Sequence, residues 1–304
     1  ADAVEAAIRA DAPDLLVDLA GHTGLNRLPL FARRLAPVQM TDLFYLNPTG
    51  LEERDYRCSD AVADPEGGAD LWHTEELVRF APTAWTYAPP ADMPGPAPLP
   101  CAAGGPVTFG SFNALSKVTS RTLHLWRDVL AAVPGSRLML KSFGLDFTAW
   151  QSRLAAHGIE PRRVSLLPPT RSVAEHLACY AGMDVALDPF PYQGTTTTCE
   201  ALWMGRPVVT LCGDRHASRV GASLLTAVGH PEWIASNASF YVHIAAELAR
   251  DPGRLADISR DLRGRAAASP LGDHAGQAAR FGRALRACWQ ARCARASTSA
   301  AIAV

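Results

Sequence analysis

Gly194-Thr195-Thr196-Thr197-Thr198-Cys199-Glu200 is the stretch that decides how this chain is read. It stands between an apolar run ending in an acid, Val185-Ala186-Leu187-Asp188, and an amphipathic segment, Cys199 to Gly205. The run has the character of a buried strand, the segment that of a short helix. A glycine and several hydroxyls therefore stand where a helix begins, just beyond the carboxyl end of a strand. Free backbone N–H groups and the positive end of the helix dipole point outward there and suit an anion. Threonine hydroxyls add donors to a phosphate, and Glu200, a turn into the helix, is placed to accept from a ribose. A lone threonine would be an ordinary N-cap. Four in succession after Asp188-Pro189-Phe190-Pro191-Tyr192-Gln193 point instead to a nucleotide diphosphate.

Working outward, strands and helices alternate. Strands are expected at Val107–Phe112, Arg137–Lys141, Val164–Leu167 and Val208–Leu211. Helices are expected at Ser120–Val133, with Leu123, Trp126, Val129 and Leu130 on one face, at Phe147–His157, and from about Ala217 to Val228. Ser172–Ala181 is a further helix, with Ser172 as N-cap and Glu175 at the capping-box position. Such alternation makes βαβ units and an α/β fold with a parallel sheet. Ligands of these sheets bind beyond the carboxyl ends of strands. Asn113 to Lys117, the threonine run and Gly213 to His216 all fall at such ends. Upstream, Asp14–Leu19 reads as a strand, Gly21–Arg27 as a polar loop, Leu28–Arg34 as a short helix and Val38–Tyr45 as another strand. Residues 1–87 thus suggest an incomplete amino-terminal α/β domain, and the Pro/Gly/Ala-rich residues 88–106 a linker. Residues 107–293 suggest a second α/β domain with terminal helices, and residues 294–304 a frayed tail. Trp126, Trp203 and Trp289 are expected in the core.

Composition narrows the classes. The chain has 304 residues, 48% of them apolar, with a formal net charge of −1. That balance argues against a nucleic-acid partner, which needs a clustered basic surplus. No run approaches the ~20 apolar residues of a membrane helix, so no membrane partner is expected. The seven cysteines form no C-x-x-C pair and suggest free thiols in a reducing cytoplasm. The nine histidines show no zinc-site spacing.

An ordered set of motifs carries a resemblance. The stretches are Asp14–Arg27 (DLLVDLAGHTGLNR), Leu35–Gln39, Phe109–Lys117 (FGSFNALSK), Pro168–Asp188, Gly194–Val209 (GTTTTCEALWMGRPVV), Arg215–Ser223 (RHASRVGAS) and Ser269–Leu271. Together they closely resemble the catalytic region of the O-linked N-acetylglucosamine transferases and SPINDLY-type proteins, glycosyltransferase family 41. The resemblance implies a GT-B architecture: two Rossmann-like domains with the site in the cleft. It also implies an inverting transfer from a nucleotide sugar, UDP-N-acetylglucosamine foremost, to Ser or Thr hydroxyls of protein acceptors, with no cofactor and no metal. Upstream of Ala1 it implies more of the amino-terminal domain and, before that, tetratricopeptide repeats. Related branches use GDP-fucose or UDP-glucose, and a non-catalytic nucleotide-sugar-binding fragment is the alternative from another class.

By the same resemblance Thr196 and Thr197 hold the donor diphosphate, Glu200 binds ribose and His176 packs on the nucleoside. Lys117 meets the diphosphate and offsets charge growing on the departing UDP, which a metal-free site requires of some cation. Asn113, Gly194, Thr195 and Arg215 complete the expected donor set, although Arg215 is equally read as a surface ion-pair partner. Ala114, Thr195 and Val173 depart from the residues that better-known members carry, which opens the identity of sugar and base. On the acceptor side, Asp18 or His22 can take the acceptor's proton. Equally, Asp18 can cap the turn that follows it and His22 be a loop residue.

Overall fold

The computed structural model describes residues 2–144 and 146–302. It forms two compact units, Ala1–Trp85 with His274–Val304, and Thr86–Asp273.

In the first unit α1 (Asp2–Asp11) leads to β1 (Leu15–Asp18), α2 (Leu28–Phe31), β2 (Val38–Thr41), β3 (Tyr56–Ser59) and β4 (Glu76–Arg79). The strands form a parallel sheet in the order β1-β2-β3-β4, with Leu15 beside Val38 and Tyr56 beside Glu76. Every residue of β2 and β3 is buried, as parallel strands covered on both faces require. The strand expected at Val38–Tyr45 ends early, at Thr41. β3 and β4 were not expected, since Arg57 and Glu76 interrupt their apolar pattern. Arg57 is nonetheless fully buried, because its guanidinium donates to the carbonyls of Tyr45 (2.7 Å) and Asn47 (3.0 Å).

The second unit runs β5 (Thr108–Ser111), α3 (Ser120–Ala132), β6 (Arg137–Lys141), α4 (Phe147–Ala156), β7 (Val164–Leu167), α5 (Val173–Ala178), β8 (Val185–Leu187) and α6 (Thr196–Trp203). It continues through β9 (Val208–Leu211), α7 (Val220–Ala227), β10 (Ile234–Ala235), α8 (Ala238–Arg250) and α9 (Pro252–Ala268). Its six parallel strands take the order β10-β9-β8-β5-β6-β7. The chain fills one half of the sheet outward from β5, returns beside β5 with β8, and fills the other half. Thr119 caps α3 by accepting from Thr122 N–H, and Leu123, Trp126, Val129 and Leu130 are buried along one face of it. Trp203 and Trp289 are only half-buried, unlike Trp126.

Two boundaries differ from expectation. Residues 88–106 belong to the second unit rather than standing as a free linker. Proline removes N–H donors but keeps carbonyls, and arginines of the second unit satisfy them: Arg206 donates to Ala97 O (2.9 Å) and Arg263 to Pro94 O (2.7 Å). The buried Asp184 carboxylate completes the attachment by accepting from Cys101 N–H (3.0 Å) and Thr108 N–H (2.7 Å). The last helix, α10 (His274–Ile302), groups with the first unit, where Gln277 donates to Ala84 O (2.8 Å) and Phe281 meets Phe80. Residues 294–302, expected to fray, continue that helix; Ala303 and Val304 lie outside the described residues. Among the described residues no helix is long and apolar enough to cross a membrane.

Trp126 is fully buried in the second unit's core. Trp126→Ala is expected to cost about 3–5 kcal/mol, read as a lower urea midpoint at unchanged slope.

Candidate functional site

The strand order places a topological switch point between β5 and β8, the pair at which the chain reverses its direction of filling. Loops after such a pair diverge and leave a crevice. Phe112 to Lys117 follow β5, and Asp188 to Thr195 follow β8 and lead into α6.

The start of α6 is set by Asp188. Its carboxylate accepts from Gly194 N–H (2.8 Å) on one oxygen and from the Thr210 hydroxyl (2.8 Å) on the other. Gly194 has no room for a side chain: a Cβ would lie 2.3 Å from Thr197 Oγ1 and 2.8 Å from Asn113 Oδ1. Those two side chains bond each other, Thr197 donating to Asn113 at 3.0 Å, which ties the loop after β5 to the helix start. Thr198 turns back to Gly194 O. Thr195 occupies the N-cap without a side-chain capping bond, and Thr196 is exposed. The first-turn N–H groups are thus left for another acceptor.

Lys117 closes a short turn after β5, and its Nζ donates to Gln193 O (3.0 Å) and lies 4.9 Å from the Tyr192 ring centre. Burial pulls its pKa below the ordinary lysine value, and the charge of Asp188 works the other way. An ammonium has three donors, so two remain beyond the Gln193 bond. Asp188 is pushed up to about 7 by burial, against the Gly194 N–H, the Thr210 hydroxyl and Lys117.

Beside the helix start lies a pocket of about 550 Å³ whose lining includes Phe112, Lys141, Val173, His176, Thr196, Thr197 and Glu200. Tyr180 O–H (2.9 Å) and His176 Nε2 (3.1 Å) both meet Oε2 of Glu200. His176 Nδ1 faces Lys141 Nζ at 2.8 Å. The rings of Phe112 and Tyr180 stand 4.6 Å apart behind them. One end of the crevice thus offers N–H groups, hydroxyls and an ammonium, the other a carboxylate and aromatic surface. That division matches the two ends of a nucleoside diphosphate.

Of the predicted donor set, His176, Thr196, Thr197 and Glu200 line this pocket; Asn113, Gly194 and Thr195 shape the start of α6, and Lys117 reaches the loop before it at Gln193. Arg215 caps the turn after β9, half-exposed and 3.9 Å from Asp214, and is not part of the pocket lining. The Glu175 carboxylate accepts from Arg171 N–H, one residue upstream of the capping-box position. In the first unit Asp18 does not suit a proton acceptor. It is buried, and its oxygens take Ala20 N–H (3.0 Å), Gly21 N–H (2.9 Å) and Arg54 Nη2 (2.7 Å). It caps the turn and pairs the buried Arg54. His22 is exposed, with Nε2 bonded to Thr49 O (2.9 Å). A carbonyl only accepts, so Nε2 is the donor of this bond.

Sequence reasoning missed Lys141 and Tyr180, which hold His176 and Glu200. No motif marks Lys141; its signal is a lysine following the apolar Leu138-Met139-Leu140 at the end of a strand beside β5. Among the described residues no three His, Cys, Asp or Glu side chains converge as a metal site.

Asp188 gives a pH signature. Its folded value of about 7 lies above the ~3.9 of an unfolded aspartate. The folded state thus binds the proton more tightly, and this contribution is full below pH ~4 and lost as pH rises to ~7. Wild-type stability, relative to Asp188→Asn, is expected to fall by a few kcal/mol across that window. Urea unfolding of both proteins at acid and neutral pH checks it, and a constant difference contradicts the assignment.

Several known proteins resemble this chain. The Oryza sativa subsp. japonica protein named probable UDP-N-acetylglucosamine–peptide N-acetylglucosaminyltransferase SPINDLY is 44% identical over 274 residues, covering 89% of this chain and 29% of that protein. Its Petunia hybrida namesake is 42% identical over 294 residues, covering 95% of this chain and 31% of its own length. This chain therefore spans about a third or less of either relative. Among solved structures, a point mutant of Thermobaculum terrenum O-GlcNAc transferase superposes with a TM-score of 0.88 at 40% identity, covering 97% of this chain and 56% of that one. Thermosynechococcus elongatus sucrose-phosphate synthase superposes at 0.55 with 14% identity over 90% of this chain and 82% of its own, a likeness of fold alone. The fold is of the GT-B type, as expected. The profile of glycosyl transferase family 41 matches residues 100–279, well over half of the sequence, and the chain belongs to that family.

Proposed function

We propose that this chain binds a nucleotide sugar and takes part in its transfer, moving N-acetylglucosamine from UDP-N-acetylglucosamine to Ser or Thr hydroxyls of proteins. The observation that carries this reading is the pairing of the threonine-rich start of α6 with the Glu200 carboxylate in one pocket, with the Lys117 ammonium held against the loop that leads into that helix. The names of the rice and petunia relatives support the choice of donor and acceptor.

In this reading the diphosphate lies against the first-turn N–H groups and the hydroxyls of Thr196 and Thr197. The ribose bonds Glu200, and the base lies towards His176 and Val173. The acceptor oxygen attacks the anomeric carbon from the face opposite UDP, so configuration inverts. Negative charge grows on the bridging phosphate oxygen as the bond breaks, and the helix dipole with Lys117 offsets it. That positive charge is what a divalent cation supplies in other transferases, so the reading requires no metal. Of the two acceptor-side candidates, His22, exposed and bonded only through Nε2, is the better suited to receive the acceptor's proton, because Asp18 is buried and committed to Arg54 and two backbone N–H groups.

Three outcomes test the proposal. Replacing Thr196 and Thr197 together by Val is expected to weaken UDP binding by about 1–3 kcal/mol in calorimetry, through lost bonds to a charged group. Unchanged affinity would remove the diphosphate from α6. Lys117→Ala is expected to lower kcat in a peptide-transfer assay by roughly 10²-fold, beyond its effect on donor affinity. Transfer by the unmodified protein is expected to continue undiminished in excess EDTA, and a strict Mn²⁺ or Mg²⁺ requirement would overturn the charge assignment.

A further inference from the structure

Lys141 ends β6 with only 6% of its surface exposed. Its Nζ meets His176 Nδ1 at 2.8 Å and Thr170 Oγ1 at 3.2 Å. A lysine ammonium donates and cannot accept. Nδ1 must then be the accepting nitrogen of a neutral imidazole, and the one ring proton sits on Nε2. From there it is donated to Glu200 Oε2, which also receives the Tyr180 hydroxyl. Both bonds fall on the same oxygen. Among the described residues no protein donor meets Oε1, the oxygen left for a ligand.

We infer that Lys141 is a positioning residue for the nucleoside: it fixes His176 in its Nε2–H form, and through it holds Glu200 with one oxygen occupied and the other presented to two ribose hydroxyls. This rests on the nucleotide-sugar reading for the identity of the ligand, while the state of His176 stands without it. The charged or titratable groups meeting His176 are Lys141 at the end of β6 and Glu200 from α6. Its own segment adds Tyr180 and the neighbouring Glu175, and β5 contributes the uncharged ring of Phe112. Lys141 at Nδ1 thus keeps the ring proton on Nε2, facing the carboxylate.

Long-range ¹⁵N–¹H correlation spectra of the ligand-free protein read the ring state directly. At pH 8 wild type is expected to show the Nε2–H tautomer, Lys141→Met mixed tautomers, and Lys141→Arg the wild-type pattern. Affinity for UDP-N-acetylglucosamine, measured by calorimetry at pH 8, is expected to drop about fivefold in Lys141→Met and to recover in Lys141→Arg. A wild-type ring protonated on Nδ1 overturns the inference even if Lys141→Met does not fold. So does a Lys141→Met ring that keeps the wild-type tautomer. Expected spectra with no nucleotide-sugar binding by wild type would uphold the role of Lys141 towards His176 and Glu200 and defeat the functional reading instead.

Discussion

The geometry of the second unit depends on one buried carboxylate. Asp188 stands at the end of β8, and its side chain bonds the loop entering α6 on one side and β9 on the other, through Gly194 and Thr210. Its backbone carbonyl accepts from Tyr241 of α8. Four elements are therefore registered on a single residue. An uncompensated charge at such a place costs several kcal/mol, and the compensation is local: two donors and the nearby Lys117 ammonium. The same arrangement leaves the N–H groups of the α6 start facing outward. The anion site proposed there follows from how the loop is anchored.

Buried guanidinium groups do comparable work elsewhere. Arg54 pairs Asp18 beneath the loop that carries His22. Arg57 closes two carbonyls in the loop after β2. Arg206, drawn down to about 10 by burial, donates to Tyr180 O, Ser259 Oγ and Ala97 O. Each planar fork meets several acceptors at once, which lysine cannot do. These arginines let irregular, proline-rich segments lie against sheets without orphaned carbonyls.

The second unit was readable in the sequence because its elements repeat one pattern: an apolar strand, a turn, then a capped amphipathic helix. Ser172 caps where expected, and the strands at β5, β6, β7 and β9 fall within a residue or two of their predicted bounds. Periodicity alone does not reveal long-range satisfaction of polar groups. Arg57 disguised β3, and the arginines holding residues 88–106 lie up to 169 positions away in sequence. The site divided the same way. Thr196, Thr197 and Glu200 are local to one helix start and could be read from it. The partners that orient Glu200 come from β6 and the turn after α5, so only the folded chain brings them together. Asp18 shows the converse. Its type and strand-end position suggested chemistry, but Arg54, 36 positions away, claims its carboxylate.

The return of α10 to the first unit makes that unit discontinuous in sequence, with the whole of Thr86–Asp273 inserted between its parts. Chains are made from the amino terminus, and units fold as wholes. Here the order of synthesis and the order of completion are reversed. The second unit is covalently complete as soon as Asp273 has been added. The first unit, whose sheet is made earlier, waits for α10, which follows the whole second unit and brings Phe281 to Phe80 and Arg295 to Tyr56. The span from α1 to β4 therefore stands without that helix for the whole time in which Thr86–Asp273 is made.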